Sequence, residues 1–102
     1  MIPQRLSLVT VGARDVARLR AFYVDALGWT PKVDVEDFFA IDAGGVSIGF
    51  YDVTKLAAES RSEIPAEGAW SGWALAHNVG SRDEVDAMWQ RWGDAGATPI
   101  TE

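Results

Sequence analysis

The chain has 102 residues, 48% of them hydrophobic and 24% charged, which fits one small globular domain near the lower limit for a self-sufficient core. A formal net charge of -6 argues against nucleic acid as a partner, since phosphate binding needs clustered Lys and Arg, and no polybasic run suits a membrane surface. Without cysteine there is no disulfide framework, thiolate chemistry or Cys-based zinc site. No apolar stretch is long enough to span a bilayer and the N-terminus carries no secretory pattern, so a cytoplasmic location is expected.

Residues Gln4 to Gly12 (QRLSLVTVG) read as a strand, with Leu6, Leu8 and Thr10 on one face and Ser7, Val9 and Val11 on the other. Arg14 to Trp29 follows as one amphipathic helix. Asp15 caps its start, Val16, Leu19, Phe22, Tyr23, Ala26 and Leu27 recur on one side, and Gly28 ends it in the left-handed region. Trp29 to Glu36 alternates weakly, and Pro31 places it at an edge or a strand start. Asp37 to Ala43 is a further run, Gly44-Gly45 a tight turn, and Val46 to Val53 a last strand with Val46, Ile48 and Phe50 opposite Ser47, Gly49 and Tyr51. The first part therefore reads β-α-β-β-β.

Lys55 to Gly68 is a connection whose first half, KLAAES, suits a short helix. Trp70 to Gly80 resumes a strand. Ser81 and Glu84 then form a capping-box pattern, with Val85, Met88, Trp89 and Trp92 as the apolar stripe of a second helix. Gly96 is its stop, and Ala97 to Thr101 reads as another strand. Val11, Gly12, Arg14, Asp15, Gly28, Thr30 and Pro31 match Val79, Gly80, Arg82, Asp83, Gly96, Thr98 and Pro99 in order. An internal duplication is the economical explanation, with the second copy ending at its second strand.

The pattern R-D-x-x-x-x-x-x-F-Y-x-x-x-L-G, within LVTVGARDVARLRAFYVDALGW, and its partner GWALAHNVGSRDEVDAMWQRWGDAGAT resemble the vicinal oxygen chelate superfamily. That family includes glyoxalase I, bleomycin-resistance proteins and extradiol dioxygenases. The resemblance implies an α+β fold: paired βαβββ modules whose sheets curl into a cup, helices outside and ligand inside. Here residues 1–53 would be the first module, 54–69 the connection and 70–102 an incomplete second module of a single domain, 1–102.

Active members hold a divalent metal with His and Glu side chains on the cup floor. By the resemblance, the first ligand position falls on Leu8, the second at or near Gly49 and the third on Ala74 or Ala76. The fourth would lie on a strand beyond this sequence. Leucine, glycine and alanine offer no side-chain lone pair to a cation, so no metal or other cofactor is expected and the catalytic residues are unknown. That weighs against glyoxalase and dioxygenase chemistry, in which the metal polarises substrate oxygens.

His77 is the one histidine and, by alternation, shares the helix-facing side with Trp73, Leu75 and Val79, so a structural role is favoured over metal binding. Asn78 either orients a polar ligand group from the cup face or ends the strand and caps a turn. Glu36, Asp37, Asp42 and Asp52 stand at strand ends, where solvated carboxylates are ordinary. The expected cavity is lined by Leu8, Thr10, Phe39, Tyr51, Trp70, Ala74, Ala76 and Asn78. The resulting expectation is a metal-free binder of a small hydrophobic or aromatic molecule, acting as a homodimer. Two alternatives stand beside it. One is a metal-dependent lyase or dioxygenase completed by a missing C-terminal segment or a partner chain. The other is a non-catalytic interaction module.

Overall fold

The computed structural model describes residues 2–68 and 74–98. The chain divides into two compact units, Met1–Ile64 and Pro65–Glu102. In the first, β1 (Leu8–Ala13) leads into α1 (Val16–Arg20), then a π-helical segment (Ala21–Ala26), β2 (Pro31–Val35), β3 (Phe38–Asp42), β4 (Ser47–Asp52) and α2 (Val53–Glu59). The four strands form one mixed sheet in the order β1-β4-β3-β2. β1 runs parallel to β4, while β2–β3 and β3–β4 are antiparallel. This is the βαβββ order expected from the sequence.

The signals at the ends of the first helix act as expected. The Asp15 carboxylate accepts from the Arg18 amide at 3.0 Å, and Gly28 adopts φ 76°, which a Cβ would disfavour. The interior differs from a single α-helix. From Ala21 onward the turns widen, and the Leu27 amide bonds the Phe22 carbonyl five residues back. The wider turn rotates the later residues about the axis. Val24 therefore packs on the core and Ala26 is exposed, reversing the expected placement of Ala26.

The core of this unit lies between the helix and one face of the sheet. Ala13, Val16, Phe39, Ile41 and Phe50 are buried there, with Val11, Leu19, Tyr23, Val24, Trp29 and Ile48 packed around them. Phe39 stacks on Phe50 (centroids 4.9 Å apart), and Phe50 stacks on Tyr23 (5.0 Å), which also meets Trp29 (5.3 Å). Burial raises the pKa of the Tyr23 hydroxyl. Arg20 spans helix and hairpin: its Nε donates to Asp34 at 2.7 Å, its guanidinium also bonds the Val35 carbonyl, and it lies over the Phe39 ring.

The Gly44-Gly45 turn joins β3 to β4 with φ 82° and 109°, closed by the Ala43 amide on the Val46 carbonyl at 2.8 Å. Asp52 ends β4 and caps α2, accepting from the Thr54 and Lys55 amides. The helix expected near KLAAES thus starts two residues earlier, at the end of the strand.

The second unit contains α3 (Arg82–Asp94). Ser81 caps it as Asp15 caps the first helix, accepting from the Glu84 amide at 3.2 Å, and Gly96 (φ 110°) occupies the place of Gly28. The repeated cap-and-glycine signature is therefore present in both units. Among the described residues the expected strands are not. Ala74–Gly80 forms no strand, nor do Ala97 and Thr98, while the remaining residues of both runs lie outside the described ones. A strand needs a partner for its amides and carbonyls, which local alternation does not supply. Met88 and Trp92 are half-buried, but Val85 and Trp89 are 54% and 51% exposed, so only part of the expected stripe is covered.

Candidate functional site

Strand parity gives the first sheet a second face, opposite the core. On β1 this face carries Leu8, Thr10 and Gly12, on β4 Ser47, Gly49 and Tyr51, and on β3 Phe38, Ala40 and Asp42, joined by the registers Thr10↔Gly49, Phe38↔Tyr51 and Ala40↔Gly49. Val35 pairs with Phe38 and Val33 with Ala40 past an irregularity in β2, which extends the same face.

Small residues occupy the middle of this face and larger ones its surroundings. The Phe38 ring covers Gly49: a Cβ placed on Gly49 would stand 2.6 Å from ring carbons Cε1 and Cζ, and 3.4 Å from Cδ1 of Leu8. Phe38 in turn meets the Tyr51 ring edge-on, centroids 5.9 Å apart. Leu8 remains 47% exposed, and Val33 and Val35 are exposed as well.

The α2 helix closes one end. A Cβ on Gly12 would meet Val53 Cγ2 at 2.9 Å and Leu56 Cδ2 at 3.5 Å, so glycine is what lets the helix approach the strand. Two polar contacts hold it there. The Tyr51 hydroxyl donates to Glu59 at 3.1 Å, and the Lys55 ammonium donates to Asp37 at 2.5 Å. The Lys55 hydrogen bond holds the Asp37 carboxyl below its ordinary range, and the same contact raises Lys55. Desolvation and then the bond to Glu59 raise Tyr51.

Of the expected lining residues, Leu8, Thr10 and Tyr51 stand on this face. Phe39 does not. It is fully buried on the core side, and its neighbour Phe38 takes the open side, because successive side chains alternate. The sequence carried the signal: Ile41 shares a side with Phe39, and the polar Asp42 shares one with Phe38. Val33, Val35 and Ala40 share the face as well. Trp70 lies outside the described residues. Ala74, Ala76 and Asn78 fall in the second unit, exposed and in no strand. His77 stacks on Trp92 of α3 with ring centroids 5.9 Å apart, although it lies in no strand, so the expected alternation does not place it there.

These residues do not fit the divalent ion of the resembling family. Leu8 and Gly49 bring no donor, Phe38 fills the space a side chain at 49 would need, and Ala74 and Ala76 bring none. Among the described residues no three His, Cys, Asp or Glu side chains group to hold a metal. Also among them, no helix is long and apolar enough to cross a membrane.

A sequence profile described as Glyoxalase/Bleomycin resistance protein/Dioxygenase superfamily matches residues 5–102. The fold is similar to that of a glyoxalase-related enzyme from Fulvimarina pelagi, with 25% identity and TM-score 0.80 over 92% of this chain and 66% of that one. It is also similar to a glyoxalase/bleomycin resistance protein/dioxygenase family enzyme from Burkholderia phytofirmans PsJN, with 25% identity, TM-score 0.79, and 95% and 77% coverage. A glyoxalase/bleomycin resistance protein/dioxygenase from Nocardioides shares the fold at 20% identity and TM-score 0.70, covering 94% of this chain and 64% of that one. The chain thus spans about two thirds of the first of these structures. No functionally curated protein matches it. The chain belongs to the glyoxalase/bleomycin resistance protein/dioxygenase superfamily.

Proposed function

We propose that this protein binds a small hydrophobic or aromatic molecule on the open face of the first unit's sheet, without help from a divalent metal. One observation carries the reading. By the family resemblance the carboxylate position of metal-dependent relatives falls at or near Gly49, and an aromatic ring lies over Gly49. The surroundings favour apolar contact: Leu8, Val33 and Val35 present exposed aliphatic surface, and Phe38 and Tyr51 present an aromatic pair. Burying 100 Å² of apolar surface there would contribute about 2.5 kcal/mol, less than the roughly 4.1 kcal/mol of millimolar binding, so a ligand must bury several times that area for measurable affinity. Thr10 supplies a hydroxyl in register with Gly49, a polar handle on an otherwise apolar floor.

Assembly as a homodimer is part of the proposal. Within its own unit the face is walled at one end, by α2, and a second copy would supply a further wall.

A thermal-shift screen of hydrophobic and aromatic compounds in EDTA tests the reading. A binder gains RT ln(1 + [L]/Kd), about 2.7 kcal/mol at a hundredfold excess over Kd. Stabilisation that survives EDTA supports metal-independent binding. Stabilisation that needs an added divalent ion would instead favour a metal-dependent lyase or dioxygenase. No stabilisation by any compound would contradict the binding reading.

A further inference from the structure

We infer that Phe38 decides what the open face accepts, closing the position over Gly49 to ions and offering an aromatic floor to an uncharged ring. The inference rests on the ligand-binding reading above and adds the selecting residue and the ligand's chemical class. Three observations lead to it.

The first is the bare middle of the sheet. Gly49 and Ala40 stand side by side on the two central strands, and Gly12 lies on the same face of β1. Their own side chains leave the backbone uncovered, so whatever lies over them sets the shape of the floor. At Gly49 that cover is the Phe38 ring.

The second is that the ring is braced. Leu8 reaches the same point from β1, and Tyr51 meets the ring edge-on from β4. Tyr51 is itself tied by its hydroxyl to Glu59 on α2. A ring held from two sides loses little freedom when a ligand stacks on it, so more of the contact energy appears as affinity.

The third is charge. The carboxylates bordering this face are used within the protein: Asp37 receives Lys55, and Asp42 receives the Gly44 amide. An anionic ligand group set on the ring would lose water without gaining a counter-charge there, because the Lys55 ammonium is already held by Asp37. A hydrated cation would likewise find carbon where it needs lone pairs. An uncharged aromatic ring meets neither penalty.

The test uses the full chain and N-phenyl-1-naphthylamine, an uncharged aromatic probe that fluoresces in apolar surroundings. Wild type should bind it, and Phe38→Ala should weaken binding by about tenfold while circular dichroism shows the fold retained. Should Phe38→Ala fail to fold, Phe38→Leu keeps the apolar cover without the ring and should weaken binding by about threefold. Equal affinity of a folded Phe38 variant and wild type would overturn the assignment to Phe38 and leave the binding reading intact. Absence of probe binding to wild type would overturn both. A second arm titrates Co²⁺ into Leu8→His/Gly49→Glu, with Phe38 kept and with Phe38→Ala added. Tighter uptake only when the ring is removed supports closure by Phe38. Equal uptake with Phe38 retained would mean that the ring yields freely to a side chain at position 49 and would overturn it.

Discussion

The Phe38 ring and the missing side chain of Gly49 compete for one volume: a Cβ on Gly49 would lie 2.6 Å from two ring carbons, inside any real contact distance. Gly49→Ala must therefore displace the ring. Overpacking of this kind costs about 1–3 kcal/mol, and urea denaturation should show a loss in that range. In a Phe38→Ala background the space is free, and the same substitution should be neutral or slightly stabilising, since alanine orders a strand better than glycine. Two additive effects in the double-mutant cycle would show that the residues do not compete.

Phe38 and Phe39 are neighbours with opposite burdens. Phe39 is fully buried against Phe50 and beneath Arg20. Phe39→Ala should cost about 3–5 kcal/mol, measured by chemical denaturation, as for other buried phenylalanines. Phe38→Ala should cost markedly less because its ring is only half-buried. Equal costs would mean that the two faces of the sheet are reversed.

Arg20 ties the first helix to the β2–β3 hairpin. The ion pair with Asp34 is partly solvated, with side chains 22% and 43% exposed, so Asp34→Asn should cost only about 0.5–1 kcal/mol. Arg20→Ala should cost more, about 1–2 kcal/mol, because it also removes the bond to the Val35 carbonyl and the cover over Phe39. Arg20→Lys should recover little of this, since an ammonium lacks the planar fork. Full recovery by lysine in a thermal melt would reduce the contact to simple charge attraction.

The Lys55–Asp37 contact gives a pH signature. Asp37 titrates lower in the folded state, so its contribution is present above the ordinary aspartate value of 3.8 and is lost as pH falls through the folded value. Lys55 titrates higher, so its contribution is present below the ordinary lysine value of 10.5 and is lost as pH rises through the folded value. Stability against pH should therefore show a plateau with losses at both extremes. Asp37→Asn should flatten both limbs at low salt, and added NaCl should shrink the difference because the pair is exposed. Superimposable curves for variant and wild type would remove any role for the pair in seating α2.

Much of this unit was legible in the residues because its signals are local. Asp15 and Gly28 mark helix ends through their own backbone chemistry, and Ile48–Gly49–Phe50 assigns β4 its faces by alternation. What was not legible depends on distant partners. The widening of the helix after Arg20 brings Val24 onto the sheet, and nothing in AFYVDA demands it. The Phe38–Phe39 pair is ambiguous by identity, and only the flanking Ile41 and Asp42 fix which ring faces inward. The run Trp70–Gly80 alternates as a strand does, yet its described part forms no strand, because strand pairing is a property of two segments. Of the site, the absence of donors at Leu8 and Gly49 was readable. The ring over Gly49 was not, since it arrives diagonally from β3.

The central claim is that an apolar ligand settles on the open sheet face without a metal. The most direct measurement is a ¹⁵N–¹H correlation spectrum of the full chain, titrated with N-phenyl-1-naphthylamine in EDTA. The account predicts saturable shifts at the amides of Leu8, Thr10, Phe38, Gly49 and Tyr51, with smaller changes at Val24 and Asp25 across the helix. Shifts confined to the helix, or shifts at these strand amides that appear only after a divalent cation is supplied in place of EDTA, would contradict it.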